Sequence, residues 1–193
     1  MSKRYLITNQ TSLPEIERAL QLGIEFIQIR EKHLSTRDLT VHVNAVLRLP
    51  NPHQTQILVN DRLDVALACG AHGVHLRANS VSPRTLRKIT PAGFFIAVSC
   101  HSIADLEAAE GADFAVLAPI FETPGKSPAL GLRYLAQAVH STNIPVFALG
   151  GITEELIPVC VRLGAAGVAG IRLFTHPATS SPCTAPVPDS SRT

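Results

Sequence analysis

Eight short β-rich runs alternate with helical stretches along this chain, and that alternation restricts its fold more than any other feature. Strands are expected at 5–8, 25–30, 57–59, 74–76, 94–98, 114–117, 146–149 and 168–171, where β-branched and aromatic residues concentrate. Helices are expected at 13–22, 35–47, 63–68, 82–88, 103–110, 132–140 and 153–163. Ser12, Ser35, Ser102 and Thr153 stand as N-caps, and Pro14 and Pro83 lie in first turns. Such alternation builds a parallel α/β fold, either an open doubly wound sheet or a (β/α)8 TIM barrel. The count of eight, and the polar residues gathered just after the strands, favour the barrel, whose sites lie on that face. At 193 residues it is a compact version of a fold that usually takes roughly 250.

The eighth unit lacks a helix. Residues 173–193 carry Pro177, Pro182, Pro186 and Pro188 among Ser and Thr, which excludes a regular closing helix. Residues 1–175 are therefore read as one barrel domain and 176–193 as a disordered Pro/Ser-rich tail. A barrel without its last helix is expected to leave apolar surface bare near the first and eighth strands. Either a partner subunit covers it in a homo-oligomer, or the chain is a shortened relative of a longer enzyme.

Composition narrows the function classes. A net charge of +2 gives no global basic field for nucleic acid, and with 5 % aromatics and no Trp there is little to stack single strands. No apolar run is long enough for a membrane span, and the first residues lead straight into a strand, not a signal peptide. Cys69, Cys100, Cys160 and Cys183 are scattered without a Cys-x-x-Cys pair, and the first three sit in apolar surroundings. Buried free thiols in a reducing cytoplasm are expected. No Ser-His-Asp order and no zinc-type His/Cys spacing is present.

The chemistry gathers at the strand exits. In the second strand, alternation puts Gln28, Arg30 and Lys32 on one side. Cations so placed form either a solvated strand end or a cradle for an anion. The third exit adds Asn60 and Asp61, the fifth Ser99 and His101, the sixth Thr123 and Lys126, the eighth Ile171 and Arg172. Two of the four lysines, Lys32 and Lys126, fall on this rim. Gly150-Gly151, after an apolar strand and before a Thr-capped helix, is a place where backbone N–H groups can receive a phosphate, with Arg172 as a second contact. Asp61 is either a salt-bridge partner of Arg62 or Arg30, or a Mg2+ ligand acting with substrate phosphates. His75, inside the fourth strand, is read as packed, and His101 as a strand terminator.

Taken together, Gln28-Ile29-Arg30-Glu31-Lys32, Val59-Asn60-Asp61-Arg62, Gly73-Val74-His75-Leu76, Ser99-Cys100-His101-Ser102, Pro119-Ile120-Phe121 through Lys126, and Leu149-Gly150-Gly151-Ile152 resemble thiamine-phosphate synthases and the related thiazole tautomerases. The resemblance runs from Tyr5 to Phe174. It implies a (β/α)8 barrel that joins hydroxymethylpyrimidine diphosphate to thiazole phosphate, giving thiamine phosphate and pyrophosphate. It implies that Arg30, Lys32, Asn60 and Lys126 hold the diphosphate and that Asp61 binds Mg2+. By the same likeness Gln28 faces the pyrimidine, Ser99 and Thr123 line the site, and Gly150, Gly151 and the backbone near Ile171 and Arg172 receive the thiazole phosphate.

Two departures stand out. Where the synthases usually carry Gly-Gln-x-Asp after the His75-Leu76 position, this chain has Arg77-Ala78-Asn79-Ser80, so Ser80 replaces a second metal-binding carboxylate. Metal binding is expected to be weaker, resting on Asp61, Asn79 and the diphosphate. Phe121-Glu122-Thr123 is closer to the tautomerases, yet Pro119 stands where their catalytic His would fall. The intact diphosphate-holding residues favour a synthase of small phosphorylated substrates. A tautomerase using His101 or Glu122 for proton transfer, and a non-catalytic thiamine-phosphate binder, are the competing readings.

Overall fold

The computed structural model describes residues 2–125 and 127–174. Strands β1 (Lys3–Ile7), β2 (Phe26–Ile29), β3 (Gln56–Asn60), β4 (Gly73–Leu76), β5 (Phe95–Cys100), β6 (Phe114–Leu117), β7 (Val146–Ala148) and β8 (Gly167–Gly170) pair in parallel in chain order. β8 pairs back onto β1, with Lys3 opposite Gly167 and Leu6 opposite Gly170, so the sheet closes. The barrel is as expected, and every expected strand and helix is present with shifts at the ends.

Outside lie α1 (Leu13–Gln21), α2 (Thr36–Leu47), α3 (Leu63–Cys69), α4 (Pro83–Leu86), α5 (Ile103–Ala108), α6 (Gly131–His140) and α7 (Ile157–Arg162). Ser35, Ser82 and Ser102 cap their helices by accepting from Asp38, Thr85 and Asp105 N–H groups. The expected helix from Thr153 is interrupted. Residues Glu154–Leu156 form a 3-10 turn, and the α-helix proper begins only at Ile157, next to Pro158, which lacks the N–H needed to continue an α ladder backwards.

Alternation along each strand builds two apolar layers. Leu6, Ile27, Ile29, Ile57, Val59, Val74, Ile96, Leu117 and Val168 point outward and meet the helices. Tyr5, Phe26, Leu58, Phe114, Val116 and Phe147 fill the barrel. Aromatic edges do much of that filling: Tyr5 meets Phe26, Phe114 and Phe147 in T-shaped contacts at 5.9, 5.5 and 6.2 Å between ring centroids. Such bulk needs holes opposite it. At Gly167 an added Cβ would lie 2.2 Å from the Lys3 carbonyl and 2.7 Å from the Phe147 ring, so only glycine fits there.

The expected bare seam is absent. Leu6 and Val168 are fully buried, and Phe174 packs into the outer cluster with the Arg4 guanidinium 6.0 Å from its ring centre. Among the described residues the large exposed apolar side chains are Leu22, Val41, Leu67, Val81, Ile89 and Ile171, and of these Ile171 stands directly after β8. No helix follows β8 among the described residues, and the tail read at 176–193 lies outside them. No described helix is long and apolar enough to cross a membrane. Cys100 and Cys160 are buried free thiols as expected, while Cys69 is half-buried.

Candidate active site

A hollow of about 850 Å3 opens at the C-terminal mouth of the barrel. Gln28, Arg30, Lys32, Asn60, Asp61, Ser99, Thr123, Gly150 and Ile171, nine of the residues singled out in the sequence, line it together. Gly151 and Arg172 stand beside it, outside its lining, and Lys126 lies outside the described residues. Glu122 is exposed and is not part of the wall.

Each wall follows from strand alternation plus one local device. On β2, Phe26 faces the core and Gln28 the floor, and Arg30, just past its end, faces the mouth. The Arg30 N–H donates to Thr8 Oγ1 at 2.9 Å, tying this exit to that of β1. Glu31, between the two cations, points away and is almost fully buried. Its carboxylate accepts from the Gln10 N–H at 2.6 Å and the Thr11 N–H at 3.4 Å, so it anchors the loop after β1 instead of entering the hollow. The turn after β3 is tight: Asp61 has φ +62°, its N–H donates to the His75 carbonyl, and the Arg62 N–H closes back on the Asn60 carbonyl at 2.7 Å. A non-glycine residue in the left-handed region is uncommon and here turns the carboxylate onto the rim.

The partner of Asp61 is neither residue that its neighbourhood in the sequence suggests. Arg62 is held by Asp64 through two hydrogen bonds, at 2.9 and 2.6 Å, and also donates to Thr36. Arg77, from the exit of β4, makes the ion pair with Asp61 through Nε and itself lines the hollow. Arg77 was not among the expected site residues. The signal was present, since it stands two positions after the inward-facing His75 and so shares its side.

The floor holds a hydrogen-bonded chain across four strands. Gln28 Nε2 donates to Tyr5 Oη at 3.0 Å, which leaves the Tyr5 hydroxyl proton for His75 Nδ1 at 2.8 Å. His75 Nε2 then carries the ring proton and donates to Ser99 Oγ at 2.8 Å. His75 is 3 % exposed, and burial, aided by the nearby Arg30 charge, pushes its pKa down to about 3. It is thus packed, as expected, yet it also faces the hollow. The chain leaves the Gln28 carbonyl oxygen as an acceptor and the Ser99 hydroxyl as a donor toward a ligand.

On the opposite wall, the loops after β6 and β7 are pressed together: the Ile120 and Phe121 N–H groups donate to the Leu149 and Gly150 carbonyls at 2.8 and 3.0 Å. Gly150 has φ +101°, and a Cβ there would sit 2.8 Å from Pro119 Cα and Cβ. Gly150→Ala is expected to cost about 2–4 kcal/mol, from backbone strain plus the displaced Pro119 segment. A urea-denaturation midpoint within error of the unaltered chain would show the turn to be unconstrained. The 3-10 start of the following helix, with Glu154 and Glu155 in its first turn, makes the expected helix-end contribution to anion binding weaker than the sequence suggested.

The described wall of the hollow is cationic. Arg30, Lys32 and Arg77 face a single carboxylate, Asp61, which Arg77 already holds. His75 uses both ring nitrogens, whereas His101, which also lines the hollow, donates its Nδ1–H to the Ala118 carbonyl at 2.8 Å and keeps Nε2 as an acceptor. No group of three His, Cys, Asp or Glu side chains that could hold a metal exists among the described residues.

Comparison with known proteins gives a consistent result. A family model described as thiamine monophosphate synthase matches residues 2–174. A putative thiamine-phosphate synthase 2 of Aquifex aeolicus is 39 % identical over 183 residues, covering 90 % of this chain and 98 % of that one. A thiamine-phosphate synthase of Albidiferax ferrireducens is 35 % identical over 192 residues, covering 94 % and 87 %. Among solved structures, a thiamine phosphate pyrophosphorylase from Pyrococcus furiosus superposes with a TM-score of 0.78 at 31 % identity, covering 88 % of this chain and 85 % of that one.

Proposed function

Because the chain belongs to the thiamine monophosphate synthase family, we infer that it is a thiamine-phosphate synthase, a transferase of thiamine biosynthesis. The observation that carries this reading is the convergence of Arg30, Lys32 and Asn60 on one hollow in which His75 is held at both ring nitrogens and Asp61 is paired with Arg77. Such a site suits a reaction that needs stabilised charge and little proton transfer.

In the proposed reaction the bond between the pyrimidine methylene carbon and the diphosphate oxygen breaks, and its electron pair leaves on that oxygen. The lone pair of the thiazole nitrogen then forms the new C–N bond. No proton changes hands. Arg30, Lys32, Asn60 and Lys126 hold the departing diphosphate. Gln28 accepts from the pyrimidine and Ser99 donates to it, while Thr123 limits its position. Gly150 and Gly151, with Ile171 and Arg172 beside them, receive the thiazole phosphate and so aim the nitrogen.

Mg2+ would neutralise charge on the diphosphate when bound, with Asp61 as its one carboxylate. The donor set fits a resident ion poorly, since Asp61 is paired with Arg77 and no second carboxylate lines the hollow among the described residues. No step is therefore assigned to the metal.

The test is incubation of the chain with both phosphorylated substrates, following thiamine phosphate and pyrophosphate in equal amounts. Isomerisation of a thiazole carboxylate phosphate in the absence of the pyrimidine would replace this reading by the tautomerase one. Tight binding of thiamine phosphate without turnover would make the chain a binder.

A further inference from the structure

We propose that Arg77 is a diphosphate-holding residue that supplies, as a fixed guanidinium, positive charge that a metal ion would otherwise bring; this rests on the synthase reading. Three observations carry it. Arg77 lines the same hollow as Arg30 and Lys32, on the side of the mouth that also presents Asn60. It occupies the one carboxylate of the described wall, Asp61, so the place where a cation would be held already contains one. The residues that follow it, Ala78, Asn79 and Ser80, add no carboxylate to draw a second cation in.

The geometry suits an anion. The side chain of Arg77 is 74 % exposed at the rim, and its contact with Asp61 runs through Nε. A guanidinium carries further N–H donors in a rigid fork matched to phosphate oxygens. Asp61 thus acts as a positioning residue: it holds the fork over the mouth, while its own φ of +62° and its backbone bond to the His75 carbonyl fix it on the turn. With Arg77 counted, three cations of the described wall, Arg30, Lys32 and Arg77, surround one carboxylate, and together they meet the diphosphate with an excess of two positive charges. As the carbon–oxygen bond breaks, the pair left on the diphosphate oxygen is stabilised by these side chains.

The experiment is calorimetric titration of inorganic pyrophosphate into the full chain, in excess EDTA and in saturating Mg2+, for the unaltered protein, Arg77→Ala and Arg77→Lys. Binding by the unaltered protein in EDTA is expected, with a change of less than about fivefold on adding Mg2+. Arg77→Ala should lose about tenfold or more in EDTA and recover with Mg2+, because Asp61 is released; Arg77→Lys should fall between them. Pyrophosphate binding by the unaltered protein that appears only with Mg2+, or an Arg77→Ala variant that binds normally in EDTA, overturns the proposal. Since Arg77 is exposed, thermal melts should show all three proteins folded. Thiamine phosphate formation in saturating Mg2+ is followed in parallel, and its absence in the unaltered protein would count against the synthase reading and leave the pyrophosphate result to be judged separately.

Discussion

Replacing Arg30 with Ala should lower kcat/KM for thiamine phosphate formation by about 10²–10³-fold, the loss typical of removing one preorganised donor from a developing charge. Arg30 follows directly on β2, on the same side as Gln28, with its backbone fixed to Thr8. It lines the hollow close enough to His75 for its charge to help keep that imidazole neutral. The loss should fall on kcat as much as on KM, because the charge on the diphosphate is greatest as the bond breaks. The fold should survive, since the Thr8 contact is made by the backbone of residue 30. Arg30→Lys should recover a part of the loss, because a point charge replaces a fork. Near-normal turnover in Arg30→Ala would remove the electrostatic account of this site.

What the sequence made legible was the part that depends on local periodicity. Alternation alone puts Gln28, Arg30, Asn60, Ser99 and His75 on inward faces, and closure of an eight-stranded parallel sheet brings those faces to one mouth. Partnerships across the barrel were harder, because nothing local encodes them. Tyr5 and His75 are 70 residues apart, and their hydrogen bond exists only once β1 and β4 face each other across the interior. Asp61 misled for the opposite reason. Its nearest cation, Arg62, is captured by the exposed Asp64 within α3, leaving Asp61 to the cation from the next exit. The interrupted helix before α7 had a readable sign in Pro158, whose missing N–H outweighs the cap offered by Thr153. The cover over Leu6 and Val168 was not legible, because nothing local shows that Phe174, just past the eighth strand, packs into the outer layer.

His75 gives the second large effect, this time on stability. In the folded protein its pKa is pushed down to about 3 by burial and by Arg30, whereas in the unfolded chain it returns to the ordinary value near 6.5. Between those values the unfolded state binds a proton that the folded state refuses. Stability from this group is therefore fully present above pH 6.5 and is lost as the pH falls toward 3. By pH 5 the loss amounts to about 2 kcal/mol. His72, half-buried and shifted the same way, adds to the slope, so the total cannot be assigned to His75 without a control. His75→Gln provides it: the variant is expected to be less stable at neutral pH, having broken the chain from Tyr5 to Ser99, but its stability should fall less steeply between pH 7.5 and 5. Urea denaturation of both proteins across that interval measures the difference in slope. An equal slope in the two would mean that His75 accepts a proton in the folded state, with Nδ1 then donating to the Tyr5 hydroxyl while Nε2 still donates to Ser99.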